Sequence, residues 1–503
     1  MKLNNRRTLF VGFAFFLICV FWQAYDAIIP KILTDKFGMV QSLSGVVMAF
    51  DNVLALFLLP LFGSLSDRVN SRLGKRTPFI LVGTVVAVIS LLLLSRADAM
   101  QTERLEAVSE LNEAALAELY DADLTVSLSD EAGKVKLSDA ITREEFLAIE
   151  DYEDAGYTTY VVPARQAYAA RVRDADPKPL ILFVSVLFVL LVAMGTFRSP
   201  AVALMPDVTP KPLRSRANAI INLMGAVGGI LVLGLGVVFG TGKAGNALMP
   251  FGGYFGTVGL VMLVALVLFL LLVREKKWAA EAQAQSSAER ESEGEQTAPR
   301  KGLSRAELRS LLLILTSAVL WFMGYNAVTS KYSVYAGQVL GLDFNTTLTI
   351  ASAAAIVSYI PVGAIASKVG RKKCILAGVV MLAVSFGAAS FIRQGAPIWL
   401  VNVLFALAGM GWATINVNSY PMVVELSRDS DIGRYTGFYY TATMAAQTVT
   451  PILSGFLMDI RFTLLFPYAT LFVAAAFVTM LFVKHGDNKP TEKVGVEAFD
   501  AME

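Results

Sequence analysis

Histidine occurs once in the 503 residues, as His485, and cysteine twice, as Cys19 and Cys374. A histidine proton relay is therefore excluded, and carboxylates must do any proton work. Cys19 falls inside one apolar run and Cys374 opens another, so no disulfide framework is expected. Charge is scarce: 17% of residues are Asp, Glu, Lys or Arg, against 55% hydrophobic. A soluble domain carries roughly 25% charged residues. No cluster has metal-ligand spacing, no glycine loop suits a phosphate, and no nucleophile constellation is present. An enzyme, a cofactor and a nucleic-acid partner are thus not expected. The first apolar run is not a cleavable signal either. It lacks a small-residue cleavage site and continues through Trp22, Gln23, Tyr25 and Asp26.

What the chain does have is long apolar stretches with its charges gathered between them. A membrane-spanning helix needs about 20 predominantly apolar residues. Twelve runs qualify: 8–30, 43–65, 77–95, 179–205, 216–240, 250–273, 308–332, 344–367, 373–392, 396–424, 434–457 and 463–483. Several contain Gly or Pro, which membrane helices tolerate better than soluble ones. The short loops after the second, fourth and eighth runs are basic, with Arg68, Arg72, Lys75 and Arg76, then Lys211, Arg214 and Arg216, then Lys368, Arg371, Lys372 and Lys373. The opposite loops hold only Lys31, Lys36, Lys243, Arg393 and Arg461. The positive-inside rule then puts both termini in the cytoplasm, in an inner or plasma membrane.

Two polar segments interrupt this pattern. Residues 96–178 fall outside, between the third and fourth runs, and are net acidic. The sequence predicts a helix over 103–120, short strands at 125–128 and 134–137 around an Asp130–Gly133 turn, and a capped helix over 138–150. This insert reads as a small ordered subdomain, either a solvated decoration or a substrate-capturing element. Residues 274–305, rich in Ala, Glu, Gln, Ser and Lys, read as a cytoplasmic linker without chemistry. Residues 485–503 read as a polar cytoplasmic tail. Asn345-Thr-Thr fits a glycosylation sequon by pattern alone.

The basic turns repeat. Gly63-Ser-Leu-Ser-Asp67-Arg68-Val-Asn-Ser-Arg72-Leu-Gly74-Lys75-Arg76 has a counterpart in Gly363-Ala-Ile-Ala-Ser367-Lys368-Val-Gly370-Arg371-Lys372-Lys373. Each follows an apolar run with a late proline (Pro60, Pro361), and another apolar run follows each. The chain therefore reads as two similar membrane halves, 1–95 with 179–273 and 306–484, which is the plan of a repeat-built transporter. Small Gly63 lets two helices approach closely. Asp67 is expected to accept from a helix N-terminus or an arginine and so latch the two halves at the cytoplasmic face. Arg68, Arg72, Lys75 and Arg76 either join this gate or only set topology and meet lipid head groups. Ser367 replaces the aspartate in the second copy, so any charge latch is asymmetric.

The Gly63–Arg76 stretch resembles the signature between the second and third helices of the major facilitator superfamily. Its lengthened form, Ser-Asp-Arg-x-x-Ser-Arg-x-Gly-Lys-Arg-x-Pro-Phe-Ile, is similar to that of sucrose–proton and melibiose-type glycoside–cation symporters. So is Arg198-Ser-Pro-Ala-Val-Ala-Leu-Met-Pro206-Asp207-Val-Thr-Pro210. The resemblance covers both halves but neither the insert nor the linker. It implies an all-α fold of twelve helices in two six-helix bundles. Two departures matter. Melibiose-type carriers hold a sodium-binding aspartate pair where this chain has Ala55 and Leu59, so a proton gradient is expected to drive it rather than sodium. Sucrose carriers hold an arginine where this chain has Val202.

Charges within spans cost roughly 3 kcal/mol each unless paired or wetted, so they are functional candidates. Asp26 and Asp51 are expected at similar depth in the first and second spans, where two carboxylates in a poorly hydrated cavity favour a shared proton. Helix-end carboxylates in outside water are the plainer alternative. Arg198 is expected to pair with a carboxylate, to bind sugar hydroxyls, or to snorkel. Lys331 is expected either to neutralise Asp26 or Asp51 across the half interface or to sit at the membrane interface. Asp207 and Glu425, at cytoplasmic helix ends, read with Gly370 and Arg371 as gate or cap residues. Trp22, Gln23, Tyr25, Asn222, Tyr325, Asn326, Asn416, Asn418 and Gln447 supply amides and rings suited to a sugar. A single amide of this kind more often bonds within or between helices. The reading is a monomeric, lipid-embedded importer of a sugar or glycoside by proton symport. A drug or metabolite exporter and a transporter-like sensor using the insert remain its rivals.

Overall fold

The computed structural model describes residues 3–128, 133–210, 213–292, 304–426 and 432–487. Lys211 and the Asp130 turn lie outside these residues. Twelve long helices run through the described chain: Asn5–Lys31, Gln41–Arg68, Thr77–Arg104, Lys178–Val208, Arg214–Phe239, Gly252–Leu272, Arg305–Tyr335, Phe344–Val369, Arg371–Ala389, Ile398–Glu425, Ile432–Ile460 and Leu465–Leu481. They are numbered below as the first to twelfth spans. Ten helical segments among the described residues are long and apolar enough to cross a membrane. The eleventh span is not among them, because its Thr, Tyr and Gln residues make it less apolar; the eighth is 26 residues long and rich in Ala, Ile and Val. Prolines 30, 60, 200, 206, 361, 421 and 451 sit inside spans. Packed neighbours satisfy the backbone groups that such prolines free.

The two bundles repeat one packing scheme. The first span packs on the fifth as the seventh does on the eleventh; the third packs on the fourth as the ninth does on the tenth. A turn of π-helix ends the first span at Ile32–Lys36 and another ends the seventh at Ala336–Leu340. The halves meet through second against eleventh, fifth against eighth and first against seventh spans.

That meeting is tight on the face bearing the insert. Gly45 lies against the Pro451 carbonyl and Gly455 against the Gln41 carbonyl, with no room for a side chain at either. The Asp459 carboxylate accepts from the backbone N–H of Gln41 (2.5 Å) and Ser42 (2.8 Å), capping the second span from the other half. Asn345 donates to the Thr241 hydroxyl at 3.0 Å, so the sequon asparagine is buried within the interface. Toward the basic-turn face the same helices expose Leu61, Leu65, Leu223, Val227, Val357, Ile365 and Tyr440. The molecule is closed on the insert face and open toward the basic turns.

The insert folds on its own apolar core, including Leu105, Leu116, Leu119, Val126, Phe146 and Tyr157. Where one helix over 103–120 was expected, the chain breaks after Arg104. Asn112 then caps a new helix, Glu113–Asp121, by accepting from Ala115 N–H. Thr125–Val126 pairs antiparallel with Val135–Lys136. The expected 138–150 helix is two short ones, the second held by a Thr142/Glu145 capping box. A further helix, Val162–Ala175, packs on the first span's π-turn.

Candidate functional site at the interface of the two halves

The centre of the first half is charged. Asp26 and Asp51 lie within electrostatic range of each other, and Arg198 acts on both. The Arg198 guanidinium lies over the Trp22 ring, 5.2 Å from its centroid. Among the described residues Arg198 makes no direct ion pair. It sits near two carboxylates and is committed to neither. Asn52 donates to Asp51 at 2.7 Å. Tyr25 is buried beside this cluster, its hydroxyl reaching the Met48 carbonyl at 3.4 Å.

The centre of the second half is aromatic. Tyr325 and Trp412 stack face to face, with centroids 3.7 Å apart and planes within 3°. Phe322 meets the same Trp412 edge-on. Tyr325 lies within electrostatic range of Asp26 across the interface, and Tyr440 within range of Arg198. Asn416 is exposed and bonds Tyr359 of the eighth span. Trp412, Tyr359 and Tyr440 were not singled out from the sequence. Trp412 stands one helical turn before Asn416, and that spacing was the available signal.

Other predicted residues fall elsewhere. Asn326, Asn418 and Gln447 each donate to a carbonyl four residues earlier in their own helix. Asn418 is only 2% exposed, so it is packed in the bundle rather than turned to a solute. Gln23 lies against Gly229 of the fifth span, and Asn222 is exposed on that span. Lys331 does not neutralise Asp26 or Asp51. It is fully buried in the insert-face closure, donating to the Gln41 carbonyl at 2.7 Å, with Asp459 as its nearby charge. The seventh span carries it a turn and a half beyond Tyr325, which removes it from the central cluster.

The basic turns form a second constellation. Arg76 donates to Asp67 at 2.5 Å and to Asp207 at 2.7 Å, and also meets Ser66 and the Gly63 carbonyl. All these residues belong to the first half. In this conformation Asp67 therefore joins the second, third and fourth spans of one half, not the two halves expected from the sequence. A Cβ on Gly63 would meet the Ser199 hydroxyl at 2.9 Å, so the second and fourth spans do approach closely there. Arg68, Arg72 and Lys75 are exposed. In the second half Arg371 pairs with Glu425, the counterpart of Arg76 with Asp207.

The linker makes specific contacts with the first half. Glu275, 3% exposed, opens the helix Glu275–Ser292. Its carboxylate accepts from the backbone N–H of Lys75 (2.6 Å), Arg76 (2.8 Å) and Thr77 (2.8 Å) and from the Thr77 hydroxyl (2.6 Å). It caps the third span beside Gly74, whose φ of +126° leaves no room for a side chain against that carboxylate. Trp278 packs under Arg7, and Arg7 pairs with Glu281 at 2.5 Å. The second half repeats the device: Asp487 accepts from Lys372 N–H at 3.1 Å beside Gly370, at φ +100°. Residues 488–503 of the expected tail lie outside the described residues.

With this geometry in place, the known proteins fit it closely in fold. The sequence profile of the Major Facilitator Superfamily matches residues 169–359 and 344–500, and one described as MFS/sugar transport protein matches residues 10–102. An uncharacterized MFS-type transporter of Methanocaldococcus jannaschii is 29% identical over 125 residues, 25% of this chain and 30% of that protein. The match thus spans less than a third of that relative's length. The inward-open xylose transporter XylE from E. coli superposes with a TM-score of 0.59 at 13% identity, covering 98% of both chains. A D-xylose–proton symporter gives 0.58 at 15% identity, covering 96% of this chain and 99% of that one. A bacterial homologue of the human drug peptide transporters PepT1 and PepT2 gives 0.56 at 13% identity, covering 100% and 99%.

Proposed function

This chain belongs to the Major Facilitator Superfamily, and on that premise we propose that it imports a sugar or glycoside, of disaccharide or small-oligosaccharide size, by proton symport. It is a multi-pass membrane transporter and not an enzyme. In the proposed orientation the basic turns and both termini face the cytoplasm of a cell membrane and the insert faces outside. The conformation described is then inward-facing. Rocking of one half against the other would part the Asp459 cap and close the basic-turn face around the central site.

The observation that carries this reading is the Asp26–Asp51–Arg198 cluster set against the Tyr325–Trp412 stack. Protonation of a carboxylate weakens its attraction for Arg198, whose fork of donors then suits solute hydroxyls. The rings offer a flat platform for the apolar face of a pyranose. Deprotonation toward the cytoplasm restores the charge and favours solute release. The match to a sugar-transport profile over residues 10–102 supports the solute class, since that segment holds both carboxylates. A proton gradient drives the cycle, with no cofactor; the monomer surrounded by lipid is the proposed working unit.

The test is the external pH of de-energised right-side-out vesicles on adding a panel of disaccharides, for wild type and Asp26→Asn together. Sugar-dependent alkalinisation that Asp26→Asn abolishes is the expected result. No pH response to any sugar would overturn proton–sugar symport.

A further inference from the structure

The insert is anchored to one half and reaches the other. Arg104 pairs with Asp176 at 2.7 Å where the insert leaves and rejoins the first half. The Gln166 amide donates to Asp35 (2.9 Å), and Arg173 donates to the carbonyls of Phe37 (2.9 Å) and Gly38 (3.2 Å). Gly38, at φ +56°, lies flush against Ala170. The Tyr157 hydroxyl donates to the Ala244 carbonyl at 3.0 Å and accepts from Arg165 at 2.9 Å. Burial pushes Tyr157 up to about 12, so it remains a donor across the physiological range. These bonds are charge-assisted or buried.

Toward the second half the contact is of another kind. Gln394, in the loop between the ninth and tenth spans, donates to the carbonyls of Glu153 (3.1 Å) and Asp154 (3.3 Å). Its amide oxygen accepts from the Thr158 hydroxyl. The π-turn Tyr157–Val161 packs on the matching turn Ala336–Leu340 that ends the seventh span. A cleft where insert and both halves converge is lined by Lys31, Asp35, Tyr157, Gly242, Gln338 and Leu342. The bonds to Gln394 are neutral, and the two from its amide nitrogen are exposed, so each is weak and those two are easily exchanged for water.

We propose that the insert is a strap across the outer mouth: it rides on the first half and grips the second through Gln394 only while the outer face is closed. Because its anchors on the first half are charge-assisted or buried and its grip on the second is neutral, the grip is the part that releases when the halves separate. The strap therefore biases the resting carrier toward the inward-facing state. A few neutral hydrogen bonds change such a ratio by roughly three- to tenfold. The proposal rests on alternating access, but not on the identity of the solute.

The experiment reads outer-gate opening without any substrate. Ser44, fully buried behind the closure, is replaced by Ser44→Cys in a Cys19→Ser, Cys374→Ser background. Its labelling by a membrane-impermeant maleimide is timed in right-side-out vesicles. Gln394→Ala and Thr158→Ala should each accelerate labelling roughly three- to tenfold, and together add little, because they share one set of bonds. Unchanged rates in both would overturn the strap. Independently, Gln394→Glu, which sets a carboxylate against the Glu153 and Asp154 carbonyls, should accelerate labelling as Gln394→Ala does. An unchanged rate in Gln394→Glu would also overturn the proposal, whereas a carrier of some other solute would behave the same way in every variant.

Discussion

The first half meets the centre of the molecule with charge, Asp26, Asp51 and Arg198; the second meets it with rings and an amide, Tyr325, Trp412, Tyr359 and Asn416. The helix packing behind these two faces is the same. On the proposed function, a repeated scaffold separates two tasks that would interfere on one surface. Coupling needs desolvated charge, and solute recognition needs a platform that leaves those charges free. The outer ends diverge likewise. The π-turn closing the first span reads Ile32-Leu-Thr-Asp35-Lys36, while its counterpart Ala336-Gly-Gln-Val-Leu340 carries no charge. The basic turns, by contrast, keep one design in both halves: an arginine on a carboxylate at the end of the fourth or tenth span, and a carboxylate from beyond the sixth or twelfth span capping the third or ninth.

The comparison can be broken most severely at the charged outer turn. Lys36 and Asp98 are both fully buried and paired at 2.5 Å, with Thr102 and the Phe251 N–H completing the network. Removing one partner of such a pair leaves the other uncompensated and costs about 3–5 kcal/mol. Lys36→Ala should therefore sharply lower the thermal unfolding temperature in detergent and the folded yield, whereas Gln338→Ala in the uncharged counterpart turn should change either far less.

The shared turn design should show a graded pair of effects. Glu275 accepts four hydrogen bonds and Asp487 accepts one from the turn backbone. Glu275→Ala is expected to cost about 2 kcal/mol and Asp487→Ala about 1 kcal/mol, from capping and charge-assisted bonding. Equal losses of thermal stability in the two variants would refute the ranking.

Substitutions at the centre should sharpen the division of labour there without the loss of stability expected at the turns. Trp412→Ala removes one member of the stack and should weaken solute affinity roughly tenfold, close to the worth of one aromatic contact. Proton-to-solute stoichiometry should stay unchanged. Asp51→Asn should do the reverse, sparing solute exchange while preventing accumulation against a gradient. A stoichiometry change in Trp412→Ala would show that the halves are not specialised in this way.

Much of the architecture is legible along the chain. Spans are contiguous, their length is set by the bilayer, and the repeated Gly63 and Gly363 turns reveal the duplication directly. Asp26, Asp51 and Arg198 could be singled out because charge inside an apolar run is conspicuous. Trp412 was hidden because a tryptophan in an apolar helix looks like packing. Asn418 was misplaced because periodicity does not say which side of a cavity-lining helix faces the cavity. Glu275 and Asp487 were read as parts of a featureless linker and tail. Their caps bond to backbone N–H groups on distant helices, and backbone groups leave no trace in the sequence.

By itself, then, the sequence determined the number of spans, the twofold plan, the charged turns and the intramembrane carboxylates, because each follows from local hydropathy and composition. Tertiary structure alone decided that Asp67 bonds within its own half, that Lys331 belongs to the closure on the insert face rather than the central cluster, and that the insert touches both halves. Those outcomes depend on how twelve helices rotate and tilt against one another, which is settled by close packing between residues far apart in the chain.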